Sequence, residues 1–155
     1  MVNEFKGELQ SNGEDRFAIV VSKYNDNITE KLLVGAMDTL TAQGVPAEGI
    51  DVYRVPGAWE LSITARALIA EPYSAIICLG AVIKGETTHD QYINQQVTES
   101  LGQLQLEFQK PIAFGLLTCN NMEQAIHRSG GNVGNKGIEC AEAALEMVNL
   151  LKQIG

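Results

Sequence analysis

Four short apolar runs alternate along the chain with segments of helical periodicity, and this alternation constrains the fold more than any other feature of the sequence. The first run, RFAIVVS, is nearly continuous and rich in β-branched residues, as expected for a strand buried on both faces of a sheet. The predicted strands are 16–22, 50–55, 73–83 and 111–118, and the predicted helices are 27–44, 58–70, 88–109, 122–128 and 136–153. This order predicts a four-stranded parallel sheet in a three-layer α/β/α sandwich with flavodoxin-like strand order.

A chain of 155 residues has the length of one ordinary domain, so residues 1–155 are predicted to fold as a single domain. Residues 1–15 precede the first strand and are predicted to form an N-terminal arm. Four strands are few for a free-standing sheet of this kind. The stretch FKGELQ in the arm could supply a fifth strand, but it is separated from the first core strand by SNGED and is expected to add to the sheet of a neighbouring subunit instead. A homo-oligomer is therefore the expected state.

The charge balance restricts the partners of the chain. Eleven Lys and Arg residues stand against 19 Asp and Glu residues, a formal net charge of −8, which argues against nucleic acid or an anionic membrane as a partner. The sequence shows no signal peptide and no apolar run of about 20 residues. Its three cysteines lack metal-ligand spacing, and Cys78 and Cys140 are expected to be reduced core residues. The cytoplasm is the expected compartment.

The unusual residues of the sequence follow the predicted strands. The strands end in SKYN, VPGAWE, KGETTH and LTCNN, and the carboxyl ends of parallel strands meet at one edge, where ligands bind in such folds. We therefore expect Tyr24, Trp59, Glu60 and His89 to lie near one another at this edge. Core packing is the alternative for Trp59, and it is the default interpretation for Phe114 inside the fourth strand.

The stretch GAVIKGETTH resembles a phosphate-binding P-loop, but Glu86 stands where that loop has its lysine. A nucleoside triphosphate and a Walker-type magnesium ion are therefore not expected here. Gly85 is predicted to allow tight backbone curvature, and Thr87 or Thr88 to cap the following helix, whose free N–H groups suit an anion. The alternative is an ordinary capped helix start, in which Glu86 is favoured by the helix dipole. The Glu86 side chain is expected to point away from a bound phosphate.

Three further polar residues are candidates for chemistry. His89 could act as a general acid or base, or it could be structural. Arg128 and Lys136 flank the loop SGGNVGNKG and could together serve an anion, although Arg128 also suits an ordinary helix end. Lys136 is the less expected of the two, because the dipole disfavours a cation at a helix start.

Taken in order, the motifs SKYN, VPGAWE, LGAVIKGETTH, FGLLT, MEQAIHRSGG and GNKG resemble those of the 6,7-dimethyl-8-ribityllumazine synthase family, over about residues 16–151. The resemblance implies a transferase that condenses 5-amino-6-(D-ribitylamino)uracil with L-3,4-dihydroxy-2-butanone 4-phosphate and releases phosphate and water. This reaction is the penultimate step of riboflavin biosynthesis, and it uses neither a metal nor a redox cofactor. It needs proton transfer, phosphate binding and aromatic stacking.

The resemblance also assigns roles to residues of this chain. His89 would be the general acid/base, and the phosphate would be held by Gly85, Glu86, Thr87, Thr88 and Arg128. The ribitylaminouracil would be bound by Tyr24, Asn25, Ala58, Trp59, Glu60, Val82, Ile83, Phe114 and Lys136. In this set Tyr24 stacks on the pyrimidine and Glu60 accepts hydrogen bonds from the ribityl hydroxyls. Phe114 and Lys136 would come from a neighbouring subunit. The acidic partner of His89 stays open, as Asp90, a displaced residue or none.

The resemblance further implies a pentamer, and the compact SGGNVGNKG loop is similar to that of family members that build a sixty-subunit icosahedral shell. Riboflavin synthase is a further partner that the family suggests. Three alternatives remain open on this fold. They are a non-catalytic flavin carrier, a purely structural shell protein, and a related dismutase that forms riboflavin from the lumazine.

Overall fold

The computed structural model describes residues 1–131 and 134–155, and the four predicted strands and five predicted helices are present in it. The strands are β1 Phe17–Ser22, β2 Ile50–Val55, β3 Ala75–Ile83, β4 Ile112–Cys119, β5 Ser129–Gly131 and β6 Gly134–Asn135. The helices are α1 Asp26–Ala42, α2 Leu61–Leu68, α3 His89–Phe108, α4 Met122–His127 and α5 Lys136–Ile154. Three-residue 3₁₀ turns at Ala47–Gly49 and Ala58–Glu60 precede β2 and α2.

The main sheet is parallel throughout, with the strand order β2-β1-β3-β4. Helices α1 and α5 cover one face and α2 and α3 cover the other, so the predicted three-layer sandwich is confirmed. Strand β1 is buried along its whole length because it lies inside the sheet. Its residues alternate between the two layers: Phe17 and Ile19 pack toward α1 and α5, whereas Ala18 and Val20 pack toward α2 and α3.

The cysteines are free and buried, as predicted for Cys78 and Cys140. Burial raises the pKa of the Cys78 thiol to about 12 and that of the Cys140 thiol to about 11. Because the thiolate is the reactive form, both side chains are inert packing groups at neutral pH.

Two segments have local structure that the sequence patterns do not predict. The segment predicted as one helix over 58–70 begins as a 3₁₀ turn, and α2 itself ends at Leu68. Within SGGNVGNKG, Ser129–Gly131 and Gly134–Asn135 pair as the short antiparallel strands β5 and β6, and Gly130 and Gly134 adopt positive φ angles that glycine tolerates without strain. The middle of that loop, Asn132 and Val133, lies outside the described residues.

The N-terminal arm lies along α5 of its own chain. The side-chain amide of Asn149 donates to the carbonyl of Glu8 at 2.6 Å, and that of Gln153 donates to the carbonyl of Lys6 at 2.6 Å. Gly7 is buried between them. Residues 1–16 form no strand in the described structure. The addition of a strand to a neighbouring sheet therefore stays a prediction.

Replacing Gly7 with alanine should release the arm. An added Cβ would lie 1.8 Å from the carbonyl oxygen of Glu146, and a backbone atom inside α5 cannot move aside cheaply. We expect proteases to cleave the arm of Gly7→Ala at least about threefold faster, because cleavage follows the population of the open state. Val2→Ala, at an exposed arm position, is the matched control. Equal cleavage of the two variants would contradict the packing of the arm on α5.

None of the helices in the described part of the chain has the combination of length and apolar content that a membrane crossing requires.

A hydrogen-bonded cluster joins β2 to the segments just before β1 and β3, at the end of the sheet opposite the predicted site. The Tyr73 hydroxyl donates to Asp51 Oδ2 at 2.5 Å, and Tyr53 donates to the Tyr73 oxygen. Arg16 pairs with the same Asp51 oxygen at 2.6 Å. Burial, together with these hydrogen bonds, raises the pKa of Tyr73 above the usual value of about 10.

The raised Tyr73 pKa predicts a loss of stability at high pH. An acid whose pKa is higher in the folded than in the unfolded state stabilises the fold below the unfolded value, and the stabilisation disappears as the pH rises through the folded value. We therefore expect the free energy of unfolding to fall above about pH 10. Tyr73→Phe should lose about 1–2 kcal/mol at neutral pH and show a shallower alkaline decline. Chemical denaturation across this pH range measures both effects, and parallel profiles for the two proteins would contradict the prediction.

Candidate active site

A cavity of about 410 Å³ opens at the carboxyl ends of β1, β2 and β3, the edge at which the sequence predicts a site. We call it the histidine cavity. Nine predicted site residues line it, namely Tyr24, Asn25, Ala58, Trp59, Val82, Ile83, Gly85, Thr87 and His89. Gly57, Ala81, Asp90 and Ile93 complete the lining. Of these four, Gly57 and Ala81 lie within the quoted motifs VPGAWE and LGAVIKGETTH.

The loop after β1 presents an aromatic ring to this cavity. Its backbone is bound to the loop after β2, because the N–H of Lys23 donates to the carbonyl of Val55 at 2.8 Å and that of Tyr24 to Pro56 at 3.0 Å. These bonds hold Tyr24 in place although its side chain is 75% exposed. An exposed ring on a fixed backbone is suited to stacking on a flat ligand.

The VPGAWE segment supplies a second aromatic ring. Trp59 is 55% exposed and lines the cavity, so the alternative of core packing is wrong for this residue. The Glu60 carboxylate does not line the cavity of this chain, and its Oε1 accepts a hydrogen bond from the N–H of Gly57 at 3.0 Å. This bond shapes the turn that positions Trp59 and engages one of the two carboxylate oxygens.

The GETT segment leads directly into α3, and of the two predicted capping threonines it is Thr87 whose side chain bonds to the helix. Thr88 is the residue that caps α3, yet its side chain makes no capping hydrogen bond. Instead, Thr87 Oγ1 accepts from the N–H of His89 at 3.3 Å. Gly85 has no positive φ, and an added Cβ there would meet nothing within 4 Å, so glycine is not required by the backbone at this position, although the chain bends over the next three residues. Glu86 is exposed and does not line the cavity.

His89 is the first residue of α3, and its imidazole is exposed. Among residues 1–131 and 134–155, no ion pair joins it to a carboxylate. The adjacent Asp90 lines the same cavity, and its Oδ1 is buried without a hydrogen-bond partner in the described structure. This oxygen of Asp90 is therefore not bonded to His89 in the described structure.

A second cavity of about 480 Å³ lies beyond the end of β4, and we call it the cationic cavity. Its lining consists of Leu116, Leu117, Thr118, Cys119, Gln124, His127, Arg128 and Lys136. Arg128 and Lys136 are the predicted members. Thr118 lies in the motifs FGLLT and LTCNN and Cys119 in LTCNN, whereas Gln124 and His127 lie in MEQAIHRSGG but were given no binding role.

Local hydrogen bonds bring the two cations together. The N–H of Lys136 donates to the carbonyl of Arg128 at 2.9 Å across the β5–β6 hairpin. Asn135 caps α5, because its Oδ1 accepts from the N–H groups of Gly137 at 2.8 Å and Ile138 at 3.2 Å. The charge of Arg128 also acts on Cys119, whose pKa is raised by burial and partly lowered again by the guanidinium. Two cations in one cavity suit an anionic group.

Phe114 lines neither cavity. It lies on the edge strand β4 and is 40% exposed, so the default interpretation as a core residue is wrong. An exposed phenylalanine on an edge strand is suited to contact with another chain.

The two cavities of one chain share no lining residue. Arg128 is therefore not brought into the cavity that holds Gly85, Thr87 and His89. In the described residues, no group of three or more His, Cys, Asp or Glu side chains is arranged to hold a metal ion.

The fold and the cavities define an α/β protein with a ligand site at the carboxyl ends of a parallel sheet. A sequence model of the family described as 6,7-dimethyl-8-ribityllumazine synthase matches residues 14–152. A protein of Syntrophus aciditrophicus (strain SB) with that same name is 47% identical over 150 residues, which cover 96% of this chain and 97% of the relative. The chain belongs to the 6,7-dimethyl-8-ribityllumazine synthase family.

Proposed function

We propose that the protein condenses 5-amino-6-(D-ribitylamino)uracil with L-3,4-dihydroxy-2-butanone 4-phosphate to give 6,7-dimethyl-8-ribityllumazine, phosphate and water. The observation that carries this proposal is the histidine cavity, which combines two exposed aromatic rings, Tyr24 and Trp59, with a histidine in one space of about 410 Å³. Membership of the family supports the same reaction.

The pyrimidine substrate suits the aromatic part of the cavity. Its flat ring would stack on Tyr24, and the backbone of Ile83 at the end of β3 would hydrogen-bond to the ring edge. Val82, whose backbone faces β4, would contribute its side chain to the cavity wall. Ala58 and Trp59 would shape the pocket for the ribityl chain. The second Glu60 oxygen, which the Gly57 hydrogen bond leaves free, would accept from the ribityl hydroxyls.

We assign proton transfer to His89. The condensation forms an imine between the pyrimidine amine and the ketone with loss of one water, eliminates phosphate, and then closes the second ring by attack of the ribitylamino nitrogen on the remaining carbonyl, with loss of a second water. Each of these steps moves a proton to or from nitrogen, oxygen or carbon. An imidazole can both donate and accept a proton near neutral pH, and His89 is the histidine that lines this cavity.

We propose that the active site is completed by a neighbouring subunit. The phosphate would lie between the GETT segment of one chain and Arg128 and Lys136 of the next, since the two cavities of a single chain are separate. The exposed Phe114 would enter the same interface. A ring of five chains satisfies this head-to-tail arrangement, and the arm could add its strand to a neighbouring sheet.

The proposal also covers the assembly of pentamers into a shell and the cellular compartment of the protein. We propose that twelve pentamers form a sixty-subunit shell, because the compact SGGNVGNKG sequence is similar to that of shell-forming family members, and that riboflavin synthase is a partner that uses the product. The buried free thiols suit the reducing conditions of the cytoplasm. Sedimentation of the purified protein distinguishes a pentamer of about 84 kDa, five chains of 16.8 kDa, from a shell.

The reaction is tested by mixing the purified protein with both substrates and following lumazine absorbance and phosphate release together. We expect equal amounts of the two products. Product formation no faster than the uncatalysed background would overturn the proposal. Conversion of the lumazine without the butanone phosphate would indicate the dismutase instead, and flavin bound at equal stoichiometry without turnover would indicate a carrier.

Removing the Arg128 guanidinium tests the phosphate site. Because a charged hydrogen bond contributes about 1.5–3 kcal/mol, Arg128→Ala should raise the KM for the butanone phosphate by about 10- to 100-fold. The KM for the pyrimidine should change little. Arg66→Ala removes a cation from the surface of α2 and is the matched control. A change confined to the pyrimidine KM would contradict the assignment of Arg128 to the phosphate.

Subunit mixing tests the shared site directly. His89→Ala chains keep an intact cationic cavity, and Arg128→Ala chains keep an intact histidine cavity. Co-assembly in equal amounts should restore about one quarter of the wild-type activity, because one in four head-to-tail neighbours combines two intact halves. Activity no higher than the average of the two separate variants would contradict a site shared between chains.

A further inference from the structure

Asn25 has an unusual backbone conformation at the wall of the histidine cavity. Its φ and ψ angles are 62° and 47°, in the left-handed region, and it directly follows Tyr24 and precedes α1. In the described residues, Gln109 is the only other non-glycine residue with a positive φ. Asparagine tolerates this region better than most residues, and the conformation turns its side chain back toward the sheet.

The Asn25 side chain continues the hydrogen bonding of the sheet beyond the end of β1. The pairing of β1 with β3 ends at Val21 and Leu79, but β3 runs on to Ile83. Asn25 Nδ2 donates to the carbonyl of Ala81 at 2.9 Å, in the space where a longer β1 would have lain. A side-chain amide thus replaces a backbone N–H at this point.

This bond also determines which groups of β3 face the cavity. Lys84 donates its N–H toward β4, to the carbonyl of Cys119 at 2.8 Å. Because the backbone groups of successive strand residues point to opposite sides, those of Ile83 point to the β1 side, as the Ala81 carbonyl does. Asn25 engages the Ala81 carbonyl, and Ile83 is then the next residue whose backbone faces the histidine cavity.

We propose that Asn25 is a positioning residue that fixes the end of β3 relative to the Tyr24 ring. It thereby sets the distance between the ring that stacks on the pyrimidine and the Ile83 backbone that hydrogen-bonds to the pyrimidine edge. The proposal rests on the proposed function, since it deepens the pyrimidine site. Three bonds meet in this loop: Tyr24 N–H to Pro56, Asn25 Nδ2 to Ala81, and the N–H of Ile28 to the carbonyl of Asn25 at 2.9 Å. The loop therefore connects β2, β3 and α1 around one substrate.

Two substitutions separate the hydrogen bond from the backbone conformation. Asn25→Gly keeps the left-handed backbone geometry and removes the Nδ2 donor. Asn25→Asp keeps the shape of the side chain but places a carboxylate, which cannot donate, next to the Ala81 carbonyl oxygen. We expect the KM for the pyrimidine to rise about three- to tenfold in Asn25→Gly and further in Asn25→Asp. The KM for the butanone phosphate should stay within about twofold. Gln109→Gly, at the other left-handed position, is the matched control and should change neither.

Hydrogen exchange supplies a measurement that does not depend on turnover. Amides of residues 79–86 should exchange faster in both Asn25 variants than in the unchanged protein and in Gln109→Gly. Unchanged exchange there, or an equal rise in the KM of both substrates, would overturn the positioning role. If the unchanged protein forms no lumazine, the proposed function fails, and the exchange data still decide whether Asn25 holds the end of β3.

Discussion

His89→Ala is expected to lower kcat by about 10²- to 10⁴-fold, the usual contribution of a general acid/base. The imidazole is exposed and makes no ion pair in the described structure, so the variant should fold with unchanged stability. KM values should change little, because stacking and phosphate binding are assigned to other residues. Single-turnover measurements of lumazine formation and phosphate release would show which proton transfer is slowed.

His127→Ala is the matched control for this prediction. His127 is the other histidine of the chain; it lies in the cationic cavity, with Nε2 at 3.6 Å from a Glu123 oxygen. Because His127 lies beside the proposed phosphate site and not in the histidine cavity, we expect its replacement to act mainly on the KM for the butanone phosphate and to lower kcat by less than about threefold. A loss in His127→Ala as large as that in His89→Ala would contradict the assignment of proton transfer to His89.

Gly137→Ala is expected to have the largest effect on stability. An added Cβ would lie 1.9 Å from the carbonyl oxygen of Leu32, at the point where α5 begins against α1. The atoms in the way belong to the backbone of a buried helix turn, so the two helices must separate. We expect a loss of about 3 kcal/mol, at the upper end for overpacking, and a Tm lower by about 6–12 °C.

Gly102→Ala provides the matched control for this stability measurement. Gly102 lies within α3, and an added Cβ there would meet nothing within 4 Å. Alanine is the better helix former, so this variant should gain up to about 1 kcal/mol. Because α5 begins at Lys136, Gly137→Ala should also weaken binding of the butanone phosphate in the protein that remains folded. A Tm equal to that of the unchanged protein would contradict the close approach of α1 and α5.

The elements of the fold could be predicted because their sequences carry one dominant signal. Strand β1 is continuously apolar because both of its faces are buried, and α5 repeats its apolar residues at helical spacing. The β5–β6 hairpin has no such signal, since its short strands consist mainly of glycine and bury little apolar surface. Positive φ angles at Gly130 and Gly134 depend on the packing of the whole loop and are not visible in composition.

The site was predictable to the extent that strand order alone brings residues together. Tyr24, Trp59 and His89 follow three strands that are neighbours in the sheet, so they meet in one cavity. Side-chain detail did not follow in the same way. Residue type leaves open whether Thr87 or Thr88 caps α3, and in the structure it is the Thr87 hydroxyl that bonds to the helix backbone. The exposure of Phe114 reflects its place on an edge strand, which no local pattern reveals.

The separation of the two cavities has a genetic consequence under the proposed arrangement. A chain defective in both cavities would disable two sites, one on each side of it in the ring. In a cell that makes intact and defective copies in equal amounts, only about one quarter of the sites would join two intact halves. Such an allele would be dominant, whereas an allele whose product cannot enter the ring would reduce activity only in proportion to its dose.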